Sequence, residues 1–157
     1  MAYRYITNRF EADMKSTMGA DIVVKNLMLG DDMVRLQIWD FGGEPRFRDY
    51  LPLYAHGAMG GIFMYDITRN NTLDNVEEWI SIFQKGLTEM DRNVPILLVG
   101  GKLDLQNERQ INDKDVKNLI KTFNFYNSIE CSAKTSENVE LLFQKLTYVM
   151  MKNAGYC

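Results

Sequence analysis

A three-layer α/β fold with a mainly parallel sheet is what these 157 residues predict. Three observations carry that reading. The runs 59–66 (Met-Gly-Gly-Ile-Phe-Met-Tyr-Asp) and 94–100 (Val-Pro-Ile-Leu-Leu-Val-Gly) are short and almost continuously apolar, as strands covered on both faces require. Between and after them, Leu73, Val76, Trp79, Ile80 and Phe83 keep helical spacing, as do Val139, Leu142, Phe143, Leu146 and Val149. A chain of this length, 46% hydrophobic and 25% charged, suits one domain over residues 1–157.

The elements follow in order. Residues 1–10 read as the tail of a helix, with Tyr3, Tyr5, Ile6 and Phe10 apolar and no N-cap ahead of them. Residues 11–19 are polar and loop-like. Residues 20–29 and 33–39 read as a hairpin turned at Gly30-Asp31-Asp32. The strands 59–66 and 94–100 come next, and Ser128-Ile129-Glu130-Cys131 is a shorter last strand. Helices are expected at about 72–90, 113–124 and 136–152. No internal repeat, low-complexity stretch or linker interrupts the pattern.

Composition removes several function classes. A net charge of −3 and a pI near 5.2 give no electrostatic footprint for nucleic acid or an anionic membrane. Cys131 and Cys157 make neither a disulfide framework nor a metal set, so a reducing, cytoplasmic setting is expected. No apolar run approaches the roughly 20 residues of a membrane span, and no signal peptide precedes the fold. The ten methionines are expected to fill gaps in the core.

The residues that carry chemistry fall just after strands. Parallel sheets bind ligands at the carboxyl ends of their strands. Asp40, Gly101-Lys102-Leu103-Asp104 and Ser132-Ala133-Lys134 all lie at such ends. In Trp39-Asp40-Phe41-Gly42-Gly43-Glu44-Pro45-Arg46-Phe47-Arg48 a carboxylate at a strand end is followed by glycines and a charged helix start. Asp40 suits a hydrated Mg²⁺, and Gly43 can bring its N–H to a phosphate with no Cβ in the way. Nothing in the chain reads G-x-x-x-x-G-K-[ST], the loop that cradles nucleotide phosphates.

The ten-residue segment from Trp39 to Arg48 closely resembles the second switch of Ras-superfamily small GTPases, the Rab branch in particular. The resemblance extends over residues 4–152 and implies the Ras-like, P-loop NTPase type of three-layer fold. It implies a GTP/GDP switch using Mg²⁺ and hydrolysing GTP. Gly101-Lys102-Leu103-Asp104 is similar to the family's N-K-x-D. There the Asp carboxylate accepts from the guanine N1–H and exocyclic amine, and the Lys stem packs along the base. Asp104 and Lys102 hold those places, while Gly101 replaces the Asn and implies weaker binding. Taken alone, the segment is equally a plain strand-to-helix turn. Glu130-Cys131-Ser132-Ala133-Lys134 is similar to E-[TC]-S-A-K. Its resemblance implies that the Ala133 N–H meets the guanine carbonyl, Lys134 covers the base and Ser132 braces the loop. Ser132 equally suits a helix N-cap.

Thr17 matches the switch threonine that gives its hydroxyl to Mg²⁺ and its N–H to the γ-phosphate, a loop that loss of that phosphate would release. Without the downstream segment it is an ordinary loop threonine. Glu44 stands where the family has the Gln that orients the attacking water. A carboxylate there repels the γ-phosphate, by roughly 1–4 kcal/mol at about 4 Å depending on dielectric, so slow turnover is expected. Glu44→Gln in a nucleotide-competent form is expected to raise the hydrolysis rate; an unchanged rate removes Glu44 from that role. Glu44 also suits a helix N-terminus on electrostatic grounds alone. Ile22, Trp39 and Tyr54 align with the hydrophobic triad by which Rab-type proteins meet effectors and regulators, although packing between switches and sheet accounts for them equally. His56, the only histidine, reads as a loop residue. Cys157 is terminal and outside any C-a-a-X box, so no lipid or other stable membrane anchor is expected.

By the same resemblance, the first central strand and the phosphate loop belong ahead of Met1, the loop's Lys-[Ser/Thr] falling about two or three positions before it. Their absence would leave a gap of about 9–10 Å between the 33–39 and 59–66 strands, which would lose ladder partners or slide together. Either the sequence starts late within a working GTP switch, or the short chain is a nucleotide-free module completed by a partner strand or a swapped dimer. The intact core pattern and base loops favour the first.

Overall fold

The computed structural model describes residues 1–13, 17–88 and 93–156, the side chain of Arg46 apart. In chain order the elements are α1 (Ala2–Thr7), β1 (Ala20–Leu29), β2 (Asp32–Phe41), α2 (Leu51–Ala55), β3 (Gly61–Asp66), α3 (Val76–Gly86), β4 (Ile96–Gly101), α4 (Asp113–Phe123), β5 (Asn127–Glu130) and α5 (Val139–Asn153). Short 3₁₀ segments occupy Pro45–Tyr50, Asn70–Leu73 and Leu103–Glu108.

β3, β4 and β5 form a parallel sheet in that order. All six residues of β4 are buried, as a continuous apolar run demands of a central strand. Its side chains alternate between two cores. Leu97 and Val99 join Ile129 of β5 and Leu142, Phe143 and Leu146 of α5 on one face. Ile96 and Leu98 join Tyr65, Ile67, Val76 and Ile80 on the other, under α3 and α4. Each fully buried aliphatic side chain contributes about 1.5–3 kcal/mol.

β1 and β2 form the expected antiparallel hairpin, with Gly30 in the left-handed region at its turn. Leu27 and Leu36 face the α5 core, while Ile22, Val24 and Met28 stand exposed. α1 fits between hairpin and α5. The Tyr5 ring stacks on Phe143 at 3.8 Å, and Lys25 Nζ lies 4.2 Å above Tyr5 while donating to its carbonyl at 2.5 Å. The helix stops at Thr7 rather than continuing to residue 10, because Asn8 turns into the left-handed region and its N–H closes on the Arg4 carbonyl.

The hairpin and the parallel sheet share no ladder. Among the described residues β2 pairs only with β1 and β3 only with β4, so the flanking strands keep one partner each and do not close up on each other.

Three differences from the sequence reading have local causes. The 72–90 helix is shorter. Its start is a 3₁₀ turn in which the Thr72 hydroxyl donates to the Arg69 carbonyl, and α3 ends at Gly86. A Cβ on Gly86 would lie 2.2 Å from the Pro52 carbonyl oxygen, so only glycine lets α2 approach α3 this closely. The helix start expected after Glu44 is the 3₁₀ stretch Pro45–Tyr50, and α2, which follows it directly, is the part that the sequence pattern misses; each is opened by a proline in its first turn rather than marked by apolar spacing. The methionines only partly fill the core: among the described residues Met1 and Met150 pack against it, while Met18, Met28, Met33, Met59 and Met64 are exposed. Met28 and Met33 are cross-strand partners on the hairpin's outward face, where alternation places them.

Candidate functional site

The loops after β4 and β5 are stitched together. Cys131 N–H donates to the Gly100 carbonyl at 2.8 Å and Leu103 N–H to the Cys131 carbonyl at 3.0 Å. Across this seam the buried Ser132 hydroxyl donates to Asp104 Oδ1 at 2.5 Å and accepts the Thr135 N–H at 3.1 Å. Lys134 Nζ stands 4.0 Å from the other carboxylate oxygen, Oδ2. Ala133 lies half-buried in the same turn, and the Arg4 guanidinium of α1 donates to the Lys134 carbonyl at 3.2 Å. Ser132 therefore braces the loop. It does not cap α5, which starts at Val139 after Asn138. A hydroxyl on Oδ1 fixes the carboxylate plane and leaves Oδ2 to a ligand carrying N–H donors.

Lys102 opens this loop in the left-handed region, at φ 67°. Its ammonium pairs with Asp66 at the end of β3, at 2.7 Å. Asp66 is 7% exposed, and its carboxylate also accepts from Thr68 N–H (2.9 Å), Thr68 Oγ1 (2.7 Å) and Arg69 Nε (2.9 Å). Sequence reading missed this residue. The signal was present in Asp66-Ile67-Thr68, since an Asp with a hydroxyl two residues on is an Asx-turn pattern. Burial pushes the Asp66 carboxyl up, but hydrogen bonds from Lys102, Thr68 and Arg69 outweigh it and hold the group at about 2, against an ordinary 3.8. A carboxyl lowered on folding stabilises the fold above its unfolded value and loses that contribution as pH falls through the folded one. About 2 kcal/mol is expected to disappear between pH 4 and pH 2, and Asp66→Asn is expected to lack that acid-dependent loss in urea unfolding at stepped pH.

The residues expected in the switches lie around the open end of the hairpin. Gly42 N–H donates to the Gly19 carbonyl at 2.8 Å, and a Cβ on Gly42 would lie 2.1 Å from the Thr17 carbonyl oxygen. Thr17 is thereby held against the Asp40–Gly43 segment. Asp40 is partly buried and sits opposite Asp21 in the strand pair. Burial raises its carboxyl, the N-terminal ammonium offsets part of that, and the Asp21 charge adds to the rise. A bound cation would ease both the burial and the Asp21 repulsion, and a lone carboxylate of this kind could ligate a hydrated Mg²⁺. Gly43 is exposed with open space at its Cβ position. Glu44 is the N-cap residue of the 45–50 turn, its carbonyl accepting from Phe47 N–H at 3.1 Å. Among the described residues no three acidic, histidine or cysteine side chains cluster as a metal set.

Ile22 and Trp39 are cross-strand partners, and the Trp39 ring lies 5.0 Å from Tyr54. Ile22 is 49% and Tyr54 36% exposed, so the three form one partly open apolar patch. His56 follows α2 in a loop. Cys157 lies outside the described residues. Among the described residues no helix is long and apolar enough to cross a membrane.

The sequence model of the Ras family matches residues 1–152. The chain is 36% identical over 143 residues to the Ras-related protein Rab11B of Nicotiana tabacum, covering 91% of this chain and 64% of that protein. It is 34% identical over 141 residues to the GTP-binding protein ypt3 of Schizosaccharomyces pombe (90% and 64%). It is 35% identical over 148 residues to the Ras-related protein Rab-3 of Caenorhabditis elegans (94% and 66%). The chain thus spans a little under two thirds of the first of these relatives. Matched by the family model over residues 1–152 and built around a parallel sheet, this chain is a Rab-like member of the Ras family.

Proposed function

We propose that this chain is a guanine-nucleotide switch module of Rab-like type. The observation that carries the reading is Asp104, fixed through Oδ1 by the buried Ser132 hydroxyl and open at Oδ2 beside Lys134. A carboxylate held this way suits the paired N–H donors of guanine and opposes adenine, which lacks them there. Lys102, Ala133 and Lys134 complete the base site. Thr17 and Asp40 would hold Mg²⁺, and Gly43 would meet the γ-phosphate. Mg²⁺, when bound, supplies charge neutralisation for the phosphates. Glu44 would orient water and, by its charge, keep hydrolysis slow. Effectors and regulators would meet the patch of Ile22, Trp39 and Tyr54 and read the switch segments. Tight binding of GTP or GDP also requires a phosphate loop, which these 157 residues do not contain.

GMP tests this reading, because it presents the base without the β- and γ-phosphates. In an NMR titration GMP is expected to shift the Leu103 and Ala133 amides at least tenfold more tightly than AMP, a preference on the scale of buried charge-assisted contacts. A folded chain that takes up neither nucleotide would point instead to a nucleotide-free interaction module.

A further inference from the structure

We propose that Asp66 is the positioning residue of the base site, fixing the direction in which Lys102 leaves the loop that carries Asp104. This rests on the guanine reading above. Asp66 is 7% exposed and tied on three sides by Thr68 and Arg69, so its carboxylate is the fixed partner. The Lys102 side chain is 52% exposed on a four-carbon stem, so its ammonium is the partner that gains order. Backbone geometry reinforces the link. Ile67 N–H donates to the Gly101 carbonyl at 3.2 Å, and the Lys102 carbonyl accepts from Leu105 N–H at 2.8 Å. The end of β3 thus grips the start of the base loop twice, once by main chain and once through Asp66. Gly101 offers no side chain to tie the loop from within. A lysine pre-set along the pocket loses less rotamer freedom when the base arrives, and that saving appears as affinity.

The test compares the wild-type chain with Asp66→Asn, Lys102→Met, the double variant and Arg69→Gln. GMP affinity is read by NMR, and amide hydrogen exchange at residues 102–105 is read without nucleotide. Asp66→Asn and Lys102→Met are each expected to weaken GMP about five- to tenfold, with the double variant no worse than either, the signature of one shared interaction. Arg69→Gln also takes a cation from Asp66 but lies outside the base loop, and is expected to stay within about twofold of wild type. Losses that add in the double variant, or an equal loss in Arg69→Gln, would mean that Asp66 supports the fold generally and would overturn the proposal. Exchange at 102–105 is expected to quicken in Asp66→Asn and Lys102→Met alike. No change there overturns the proposal whatever GMP does. If Asp66→Asn fails to fold, Lys102→Met and Lys102→Arg decide: the arginine, still able to reach Asp66, is expected to keep slow exchange, and its failure to do so counts against the tie. A wild-type chain that passes the exchange test but takes up no GMP sinks the guanine reading, and the base-site role of Asp66 with it, while leaving the Asp66–Lys102 tie.

Discussion

Asp104→Asn is expected to turn the base preference from guanine to xanthine. The Ser132 hydroxyl, 2.5 Å from Oδ1, is a donor and selects the oxygen of the substituted amide. The amide nitrogen must then occupy the place of Oδ2 and face the ligand. Guanine presents an amine there, donor against donor. Xanthine presents a carbonyl that accepts. A site built for one hydrogen-bonding pattern leaves buried polar groups unpaired with the other, so the XMP-to-GMP preference is expected to move by about 100-fold or more. Parallel titrations with XMP and GMP measure it. A ratio that does not move would remove Asp104 as the reader of the base.

Gly42→Ala is expected to damage the switch corner while Gly43→Ala leaves stability alone. A Cβ on Gly42 would sit 2.1 Å from the Thr17 carbonyl oxygen and 3.5 Å from that of Gly19, both backbone atoms. The strand end cannot back away without loosening the Gly42 N–H bond to Gly19 at 2.8 Å. Overpacking of this kind costs about 1–3 kcal/mol, or a fall of about 3–10 °C in Tm for a domain of this size. Gly43 has nothing within 4 Å of its Cβ position and lies outside the positive-φ region, so its alanine variant is expected within about 0.5 kcal/mol of wild type. Thermal scans of the two variants decide. Equal stability would mean that Thr17 does not lean on Gly42 in solution.

Much of the fold was legible because its signals are local. The apolar run Val-Pro-Ile-Leu-Leu-Val-Gly can sit only where both faces are covered, and β4 is buried along its whole length. The spacing of Val139, Leu142, Phe143 and Leu146 marks one helical face, and that face packs on Leu97 and Val99. Asp104 and Ser132 could be named as expected base-site residues because the loops after two strands there resemble a family's, and the structure joins the two by a hydrogen bond. The switch residues were legible by resemblance to a family, which composition and periodicity alone would not have provided.

Other features depend on which segments meet across long sequence separations. Asp66 and Lys102 are 36 positions apart, and neither by itself announces the other; parallel pairing of Asp66 with Gly101 brings them together. The same holds for Arg4 and the Lys134 carbonyl, and for Pro52 against Gly86. The exposure of the methionines also could not be read from their type, because a flexible thioether suits a core gap or a surface equally until alternation and neighbours choose. By itself the sequence determined the α/β class and the order of strands and helices, since periodicity is written in adjacent residues, and its resemblance to a family supplied the residues expected to contact a guanine base. Only the tertiary structure decided that the hairpin and parallel sheet keep separate ladders, that Ser132 holds Asp104, and that Asp66 holds Lys102, because hydrogen bonds and ion pairs depend on ångström-scale distances that exist only once distant segments have packed.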